Sequence, residues 1–164
     1  MLTIIAAESA EQIATARELI YEYANWLEFK LCFQGFEEEM RALPGKYAPP
    51  AGRLFLAWGN GEPAGVGAFR PLDERGVCEM KRLYVRGQFR GHAIGRKIAE
   101  KLIAEAAAVG YSAMRLDTVP GKMDSAIGLY RELGFKEVSG YYDTPVEHTL
   151  FMELKLSAVA ERTA

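Results

Sequence analysis

Leu83-Tyr84-Val85-Arg86-Gly87-Gln88-Phe89-Arg90-Gly91-His92-Ala93-Ile94-Gly95-Arg96-Lys97 decides how this chain reads. It begins as an apolar, strand-like run, passes through a turn punctuated by glycines, and enters a helix. Past the turn, apolar Ile94, Ile98, Leu102, Ala106 and Val109 recur at the 3.6-residue period, with Lys97, Glu100, Lys101 and Glu105 between them. Gly110 stands where a C′ glycine stops a helix. Met80 to Ala99 holds six basic residues and no acid, in a chain with 20 Lys+Arg against 22 Asp+Glu. A first helical turn usually carries Asp or Glu, which complement the positive end of the dipole. This one carries Arg96 and Lys97. Free backbone N–H groups, close-approach glycines and a positive helix end together make an anion site, most naturally for phosphate. A plain strand–turn–helix with a chance basic cluster is the alternative, because a lone glycine-rich turn is a weak signal. The spacing fits neither Gly-x-x-x-x-Gly-Lys-Ser/Thr nor Gly-x-Gly-x-x-Gly, which argues against a P-loop or Rossmann nucleotide site.

Composition narrows the class. At 164 residues the chain suits one domain with a real core, expected over residues 1–156 with a frayed tail at 157–164. The net charge of −2 gives no basic surface for nucleic acid. Cys32 and Cys78 lie far apart, without a Cys-x-x-Cys or Cys/His spacing. They argue against a zinc site or disulfide framework and fit a reducing compartment. With His92 and His148 the only histidines, no metal centre is expected. No segment reaches the ~18–20 apolar residues that span a bilayer. The expectation is a cytoplasmic enzyme or binding protein without membrane or nucleic-acid partners.

The rest of the chain supplies the order of elements. Leu2 to Ile5 reads as a strand. Ser9-Ala10-Glu11-Gln12 is a capping-box pattern opening a helix through Ile13, Ala16, Leu19, Ile20, Tyr23 and Leu27 to about Lys30. Phe36 to Leu43 reads as a second, short helix stopped by Pro44-Gly45. Leu54 to Trp58 is a strand, Asn60-Gly61 a type I′ hairpin signal, and Ala64 to Arg70 the returning strand. Gly65 and Gly67 in that strand mark a close backbone approach. Cys78 to Val85 is the fourth strand. After the central helix, Ala113 to Thr118 is a strand reached by a right-handed parallel crossover. A helix from about Asp124 to Leu133 ends at Gly134. Phe135 to Tyr142 and Thr149 to Leu156 are the last strands, and an exposed last strand could pair two chains.

Two stretches resemble one family. Arg90-Gly91-His92-Ala93-Ile94-Gly95 after Leu83-Tyr84-Val85 is similar to the acetyl-CoA signature of the GCN5-related N-acetyltransferases, Arg-Gly-x-Gly-x-Gly/Ala after a strand. Ala126-Ile127-Gly128-Leu129-Tyr130-Arg131-Glu132-Leu133-Gly134-Phe135 resembles a second motif of that family, Ala-x-x-Leu-Tyr-x-x-x-Gly-Phe. The resemblance implies an α/β (α+β) single domain. Its mixed, mostly antiparallel sheet has about seven strands, with helices on both faces and a V-shaped split after the fourth strand. It further implies that acetyl-CoA is the co-substrate, its pyrophosphate held on the turn from Arg90 through Gly91, His92, Ala93, Ile94 and Gly95 to Arg96. Leu83, Tyr84 and Val85 would pair with its pantetheine. Two departures stand out. The family's middle glycine is Ala93, a small change if φ is negative there and a clash if φ is positive. The family's frequent Asn three residues before the alanine is Met123, with Asp124 or Ser125 as substitutes.

The implied chemistry is acetyl transfer to a primary amine of a small molecule or peptide, by direct attack in a ternary complex. That reaction needs a neutral amine, a polarised thioester, a held oxyanion and a protonated leaving thiolate. Glu79 matches the position where some family members carry a catalytic glutamate. Its alternatives are pairing with Lys81 or Arg115, or facing solvent. Tyr130 matches the tyrosine that protonates the CoA sulfur, or else it packs with its hydroxyl capped. The Val85 N–H is the oxyanion donor in this reading. Tyr21, Trp26, Phe29, Phe33 and Phe36 flank the acceptor site or serve as core. Tyr141, Tyr142, Asp143 and His148 shape specificity or edge the sheet. Two rivals remain: an acyl-CoA sensor without turnover, and a different phosphate-ligand enzyme that prefers ATP or NAD.

Overall fold

Ser9 starts the first helix. Its hydroxyl accepts from the Gln12 N–H at 3.1 Å, and Gln12 Oε1 accepts from the Ser9 N–H at 3.0 Å, the reciprocal pair of a capping box. Helix α1 follows over Ala10–Leu27 and buries Ala16, Leu19, Ile20, Tyr23 and Leu27. The computed structural model describes residues 2–27, 35–121, 123–144 and 146–156. The expected run of α1 to Lys30, together with Phe29, Cys32, Phe33 and the tail at 157–164, lies outside the described residues. Helix α2 is Phe36–Ala42.

The strands are β1 (Leu2–Ala6), β2 (Arg53–Gly59), β3 (Glu62–Pro71), β4 (Val77–Val85), β5 (Ala113–Thr118), β6 (Lys136–Val138) and β7 (Leu150–Lys155). They form one sheet in the order β1-β2-β3-β4-β5-β7-β6. Among the described residues only β4 and β5 pair in parallel, as the crossover through helix α3 (Ile94–Val109) requires. Asn60 at φ 53° and Gly61 at φ 80° make the tight β2–β3 turn, since a type I′ turn needs positive φ at both central residues. Helix α4 is Asp124–Glu132.

Two apolar layers hold the sheet. Helix α3 buries Ile94, Ile98, Ala99, Leu102, Ile103 and Ala106 against one face, with Phe69, Met114, Leu116 and Tyr130. The other face takes α1 and α2 through Leu19, Ile20, Phe36 and Met40, which meet Leu56, Val66 and Ala68. Gly67 sets how closely α3 can lie. A Cβ there would stand 2.6 Å from Ile98 Cγ2, so any side chain would push the helix off the strand.

The split begins inside β4. Its pairing with β5 covers only Val77 to Glu79. Beyond that β4 stays with β3, to Val85 opposite Gly65, while β5 stays with β7, to Thr118 opposite Leu150. The β3–β4 register also slips between Val66 and Ala68, where Arg82 takes a left-handed φ of 62°. An extra residue in one strand bends and twists it away from its neighbour.

The strand expected over Phe135 to Tyr142 is observed only as Lys136–Val138. Tyr141 and Tyr142 leave the ladder to donate hydrogen bonds to Glu79 and Asp117. Among the described residues no helix is long and apolar enough to cross a membrane.

Candidate active site

The strand alternation that follows the bulge aims the main chain. The Arg86 N–H donates to Ala64 O at 2.8 Å, toward β3. The Val85 N–H, one residue earlier, therefore turns to the split. There β4 has lost β5 as a partner, so this edge can pair with an extended ligand.

A cleft of about 480 Å³ opens along this edge. Leu83, Tyr84 and Val85 line one side, and Arg90, Gly91, Ala93, Ile94 and Gly95 line its floor. Tyr23 and Trp26 of α1 and Met123, Asp124, Ser125 and Ala126 at the start of α4 close it. Glu22 on α1 accepts from Arg86 at 2.6 and 3.0 Å, and the Arg90 guanidinium lies 5.2 Å from the centre of the Trp26 ring. These contacts hold α1 over the turn.

The floor has the properties of an anion seat. Ala93, at the N-cap of α3, makes no side-chain cap, and the first turn contains no acid. The first N–H groups of a helix lack intrahelical partners, so a diphosphate can take them. Gly91 has φ 89°, a region where a Cβ is strained. Ala93 has φ 59°, so the methyl group that replaces the family's glycine sits in the left-handed region. That conformation costs roughly 1–2 kcal/mol for a residue with a Cβ. Ala93→Gly is therefore expected to stabilise the protein by about 1 kcal/mol and raise its melting temperature by a few degrees. A thermal melt checks this; an unchanged or lowered midpoint would mean that the turn carries no strain.

Two residues of the expected phosphate turn point their side chains elsewhere. His92 is exposed and does not line the cleft. Arg96 pairs with Glu132 at 2.8 Å and approaches Glu100 at 3.9 Å, and it does not line the cleft.

A second, smaller cavity of about 60 Å³ lies in the split itself. It shares Tyr23, Leu83 and Met123 with the cleft, so the two spaces are neighbours. Its walls are the strand segments that diverge: Met80, Lys81, Arg82 and Leu83 of β4 face Leu116, Asp117 and Thr118 of β5. Tyr130 of α4 lines the cavity and is only 5% exposed. Burial pushes its phenol far above the ordinary value, so it stays protonated and available as a donor. Tyr23, opposite, is pushed up to about 12, again mainly by burial.

Charge is concentrated around this cavity. Arg82, 5% exposed, is gripped by Glu39 of α2 at 2.9 and 3.0 Å. Glu39 also accepts from the Tyr47 hydroxyl at 3.0 Å. Burial pushes the Glu39 carboxyl up, but the Arg82 hydrogen bonds and charge prevail and hold it below its usual value. Lys81 is 7% exposed, and desolvation pulls its ammonium down. Asp117 accepts from the Tyr142 hydroxyl.

Glu79 sits behind this wall and lines neither space. It is 1% exposed. Its carboxylate accepts from Arg70 at 3.0 Å and from the Tyr141 hydroxyl at 2.6 Å, and Lys81 Nζ lies 4.0 Å away. Arg115, one partner proposed from sequence, pairs instead with Glu153 and Glu74. Asp143 and His148 are exposed. Lys81, Arg82 and Asp117 were not singled out by sequence as site residues. The available signal was two adjacent cations inside an apolar strand.

Known proteins agree with this architecture. Residues 16–135 match the family model described as acetyltransferase (GNAT) family. A Schizosaccharomyces pombe protein named an uncharacterized N-acetyltransferase is 33% identical, over 95% of this chain and 96% of the relative. A Staphylococcus aureus acetyltransferase of the GNAT family superposes with a TM-score of 0.78 at 19% identity, covering 95% of this chain and 99% of that one. The yncA protein of Salmonella typhimurium, whose structure holds its cofactor acetyl-CoA, gives a TM-score of 0.66 at 25% identity over 94% of each chain.

Proposed function

Since the chain belongs to the GNAT acetyltransferase family, we propose that it moves an acetyl group from acetyl-CoA to a primary amine, by direct attack in a ternary complex. Acyl transfer is the family's chemistry; the amine and the order of events are our reading. One observation carries it. The cleft over the phosphate seat and the cavity in the split share Tyr23, Leu83 and Met123, so a second, separately walled space adjoins the one that would take an acyl group led along β4.

Each part of the reaction then has a group. The uncapped start of α3 takes the diphosphate, and the free edge of β4 at Leu83, Tyr84 and Val85 takes the pantetheine amides. The Val85 N–H is aimed where an oxyanion would form, and one such donor is commonly worth roughly 3–4 kcal/mol of barrier. The amine nitrogen bonds to the thioester carbon, the carbon–sulfur bond breaks, and the nitrogen gives up a proton. Tyr130 donates a proton to the departing sulfur and recovers one from solvent. Glu79 fits a supporting part better than direct proton removal, because Arg70 and Tyr141 already occupy its oxygens.

The test is acetyl-CoA-dependent thiol release with a panel of amines, beside calorimetric binding of acetyl-CoA. Turnover with one amine class is the expected result. Tight binding without turnover on any amine would favour an acyl-CoA sensor. Absence of acetyl-CoA binding would overturn the assignment of the cleft.

A further inference from the structure

Met123 has no part in the chemistry described so far. It stands at the N-cap of α4, yet the start of that helix has no side-chain cap. Ser, Thr, Asp or Asn is the usual residue there, because a short side-chain oxygen satisfies one of the orphan N–H groups. A thioether forgoes that bond, and its arm serves the split instead. The hydroxyl of Thr118, a residue 2% exposed at the end of β5, donates to Met123 Sδ at 3.5 Å. The same side chain packs against the apolar layer that contains Tyr23 and Leu27 of α1. Met123 therefore bridges β5 and the α1 layer. An unbranched side chain with three rotatable bonds adapts to irregular gaps but specifies its position poorly, and the Thr118 bond supplies the missing constraint.

Three of the described residues, Tyr23, Leu83 and Met123, line both the cleft and the cavity in the split. They form the wall common to the two spaces. The direction of β4 decides which end of a bound thioester meets them. The phosphate seat lies beyond Val85, at Arg90 to Gly95, and Leu83 is the β4 residue of the cleft farthest back from it along the strand. A pantetheine laid on this edge, with its diphosphate at the seat, brings its acyl end to Leu83. The neighbouring cavity, about 60 Å³, holds only a few water-sized groups. We propose that Met123, fixed by Thr118 and set with Tyr23 and Leu83 at the inner end of the cleft, limits the transferred acyl group to acetyl. This rests on the acetyltransferase reading of the same site.

Of the three residues, Met123 is the one whose length sets the limit. Leu83 belongs to the strand edge that takes the pantetheine. Tyr23 is wedged between Trp26 and Tyr84, with ring centroids 6.4 and 5.7 Å away, so its position is fixed by α1 and β4. Propionyl and butyryl groups extend one and two methylenes beyond acetyl. Each must displace the Met123 arm or leave the line of β4. One methylene more or less against a packed apolar wall discriminates roughly 10- to 200-fold.

A series of thioesters tests this without any acceptor. Free CoA, acetyl-CoA, propionyl-CoA and butyryl-CoA are titrated calorimetrically into the wild-type protein. Butyryl-CoA should bind at least about tenfold more weakly than acetyl-CoA. Met123→Ser shortens the arm and gives α4 an N-cap hydroxyl that offsets the lost packing. It should bring butyryl-CoA to within a few fold of acetyl-CoA. Met123→Leu, close in volume, should keep the wild-type gap. Affinity for free CoA should be the same in all three proteins. Equal affinity of the wild-type protein for acetyl-CoA and butyryl-CoA would overturn the role of Met123 and leave the acetyl-CoA cleft standing. So would a gap that persists in a Met123→Ser protein with normal affinity for free CoA. Failure of the wild-type protein to bind free CoA or any of the thioesters would overturn the cleft assignment and this inference with it.

Discussion

Gly95→Glu is expected to abolish measurable acetyl-CoA binding while leaving the fold intact or slightly firmer. Gly95 is the second residue of α3 and lines the cleft. A Cβ there meets only Val85 Cγ2, at 3.6 Å, an ordinary contact. Its φ lies outside the left-handed region, so a side chain can be carried without strain. Locally the substitution helps. Replacing glycine inside a helix gains about 0.5–1 kcal/mol, and an acid in the first turn complements the dipole. For a diphosphate the same carboxylate is fatal. It fills the seat, and two like charges about 4 Å apart near a protein surface repel by roughly 4 kcal/mol. The affinity for acetyl-CoA should fall at least a hundredfold in a calorimetric titration, with an unchanged or higher thermal midpoint. Gly95→Ala, which adds the Cβ and no charge, should bind within a few fold of wild type. Retained affinity in a folded Gly95→Glu protein would remove the phosphate role of this turn. Gly91 would be a poorer test site, because its φ of 89° would mix backbone strain with charge.

That experiment concerns the stretch most plainly readable from sequence. Gly95, the uncapped first turn and the apolar stripe of α3 are local features, and local physics fixes them: a 3.6-residue period, an absent acid, a stop at Gly110. The Ser9–Gln12 cap and the Asn60-Gly61 turn are of the same kind, and all three are where the sequence puts them. The end of the sheet was less legible. Tyr141 and Tyr142 read as strand residues, since aromatic side chains suit a strand. Their hydroxyls instead find Glu79 and Asp117, 62 and 25 residues earlier in the chain, and β6 stops at Val138. The cavity in the split was the least legible part. Arg82 takes its φ of 62° with Glu39, 43 residues away, bound to its guanidinium, and no neighbouring residue announces a bulge. The same distance effect changes how Glu79 reads. Its sequence position suggests a base, and the hydrogen bonds that hold its carboxylate, from Arg70 across the β3–β4 ladder and from Tyr141 beyond β6, come from partners that no local pattern announces. Ala93 is the reverse case. The sequence poses a conditional about the sign of φ, and the left-handed value resolves it toward a strained turn that nonetheless keeps the seat open.

Tyr130→Phe is expected to lower kcat about a hundredfold while changing the affinity for acetyl-CoA by no more than about two- to threefold. The substitution removes one oxygen and keeps the ring. The edge-on contact with Phe135, at 5.7 Å between centroids, survives, and so does the apolar layer between α4 and the sheet. What goes is a proton donor on the wall of the cavity next to the cleft. General acid assistance to a leaving group contributes typically 10²–10⁴ in rate, and the lower end applies here because a thiolate is a fair leaving group even without a proton. Burial holds the phenol above its ordinary value, so the donor form persists from acid through neutral and mildly alkaline pH. The loss should therefore be nearly constant from pH 6 to pH 8, well below the ordinary phenol value of about 10. Steady-state kinetics at saturating amine, a titration of acetyl-CoA and a thermal melt separate the possibilities. A fall in kcat with unaltered binding and midpoint assigns the hydroxyl to the chemical step. A fall in affinity or midpoint with kcat preserved would make Tyr130 a packing residue whose oxygen merely borders the cavity, and the proton for the sulfur would then have to come from Tyr23 or from water.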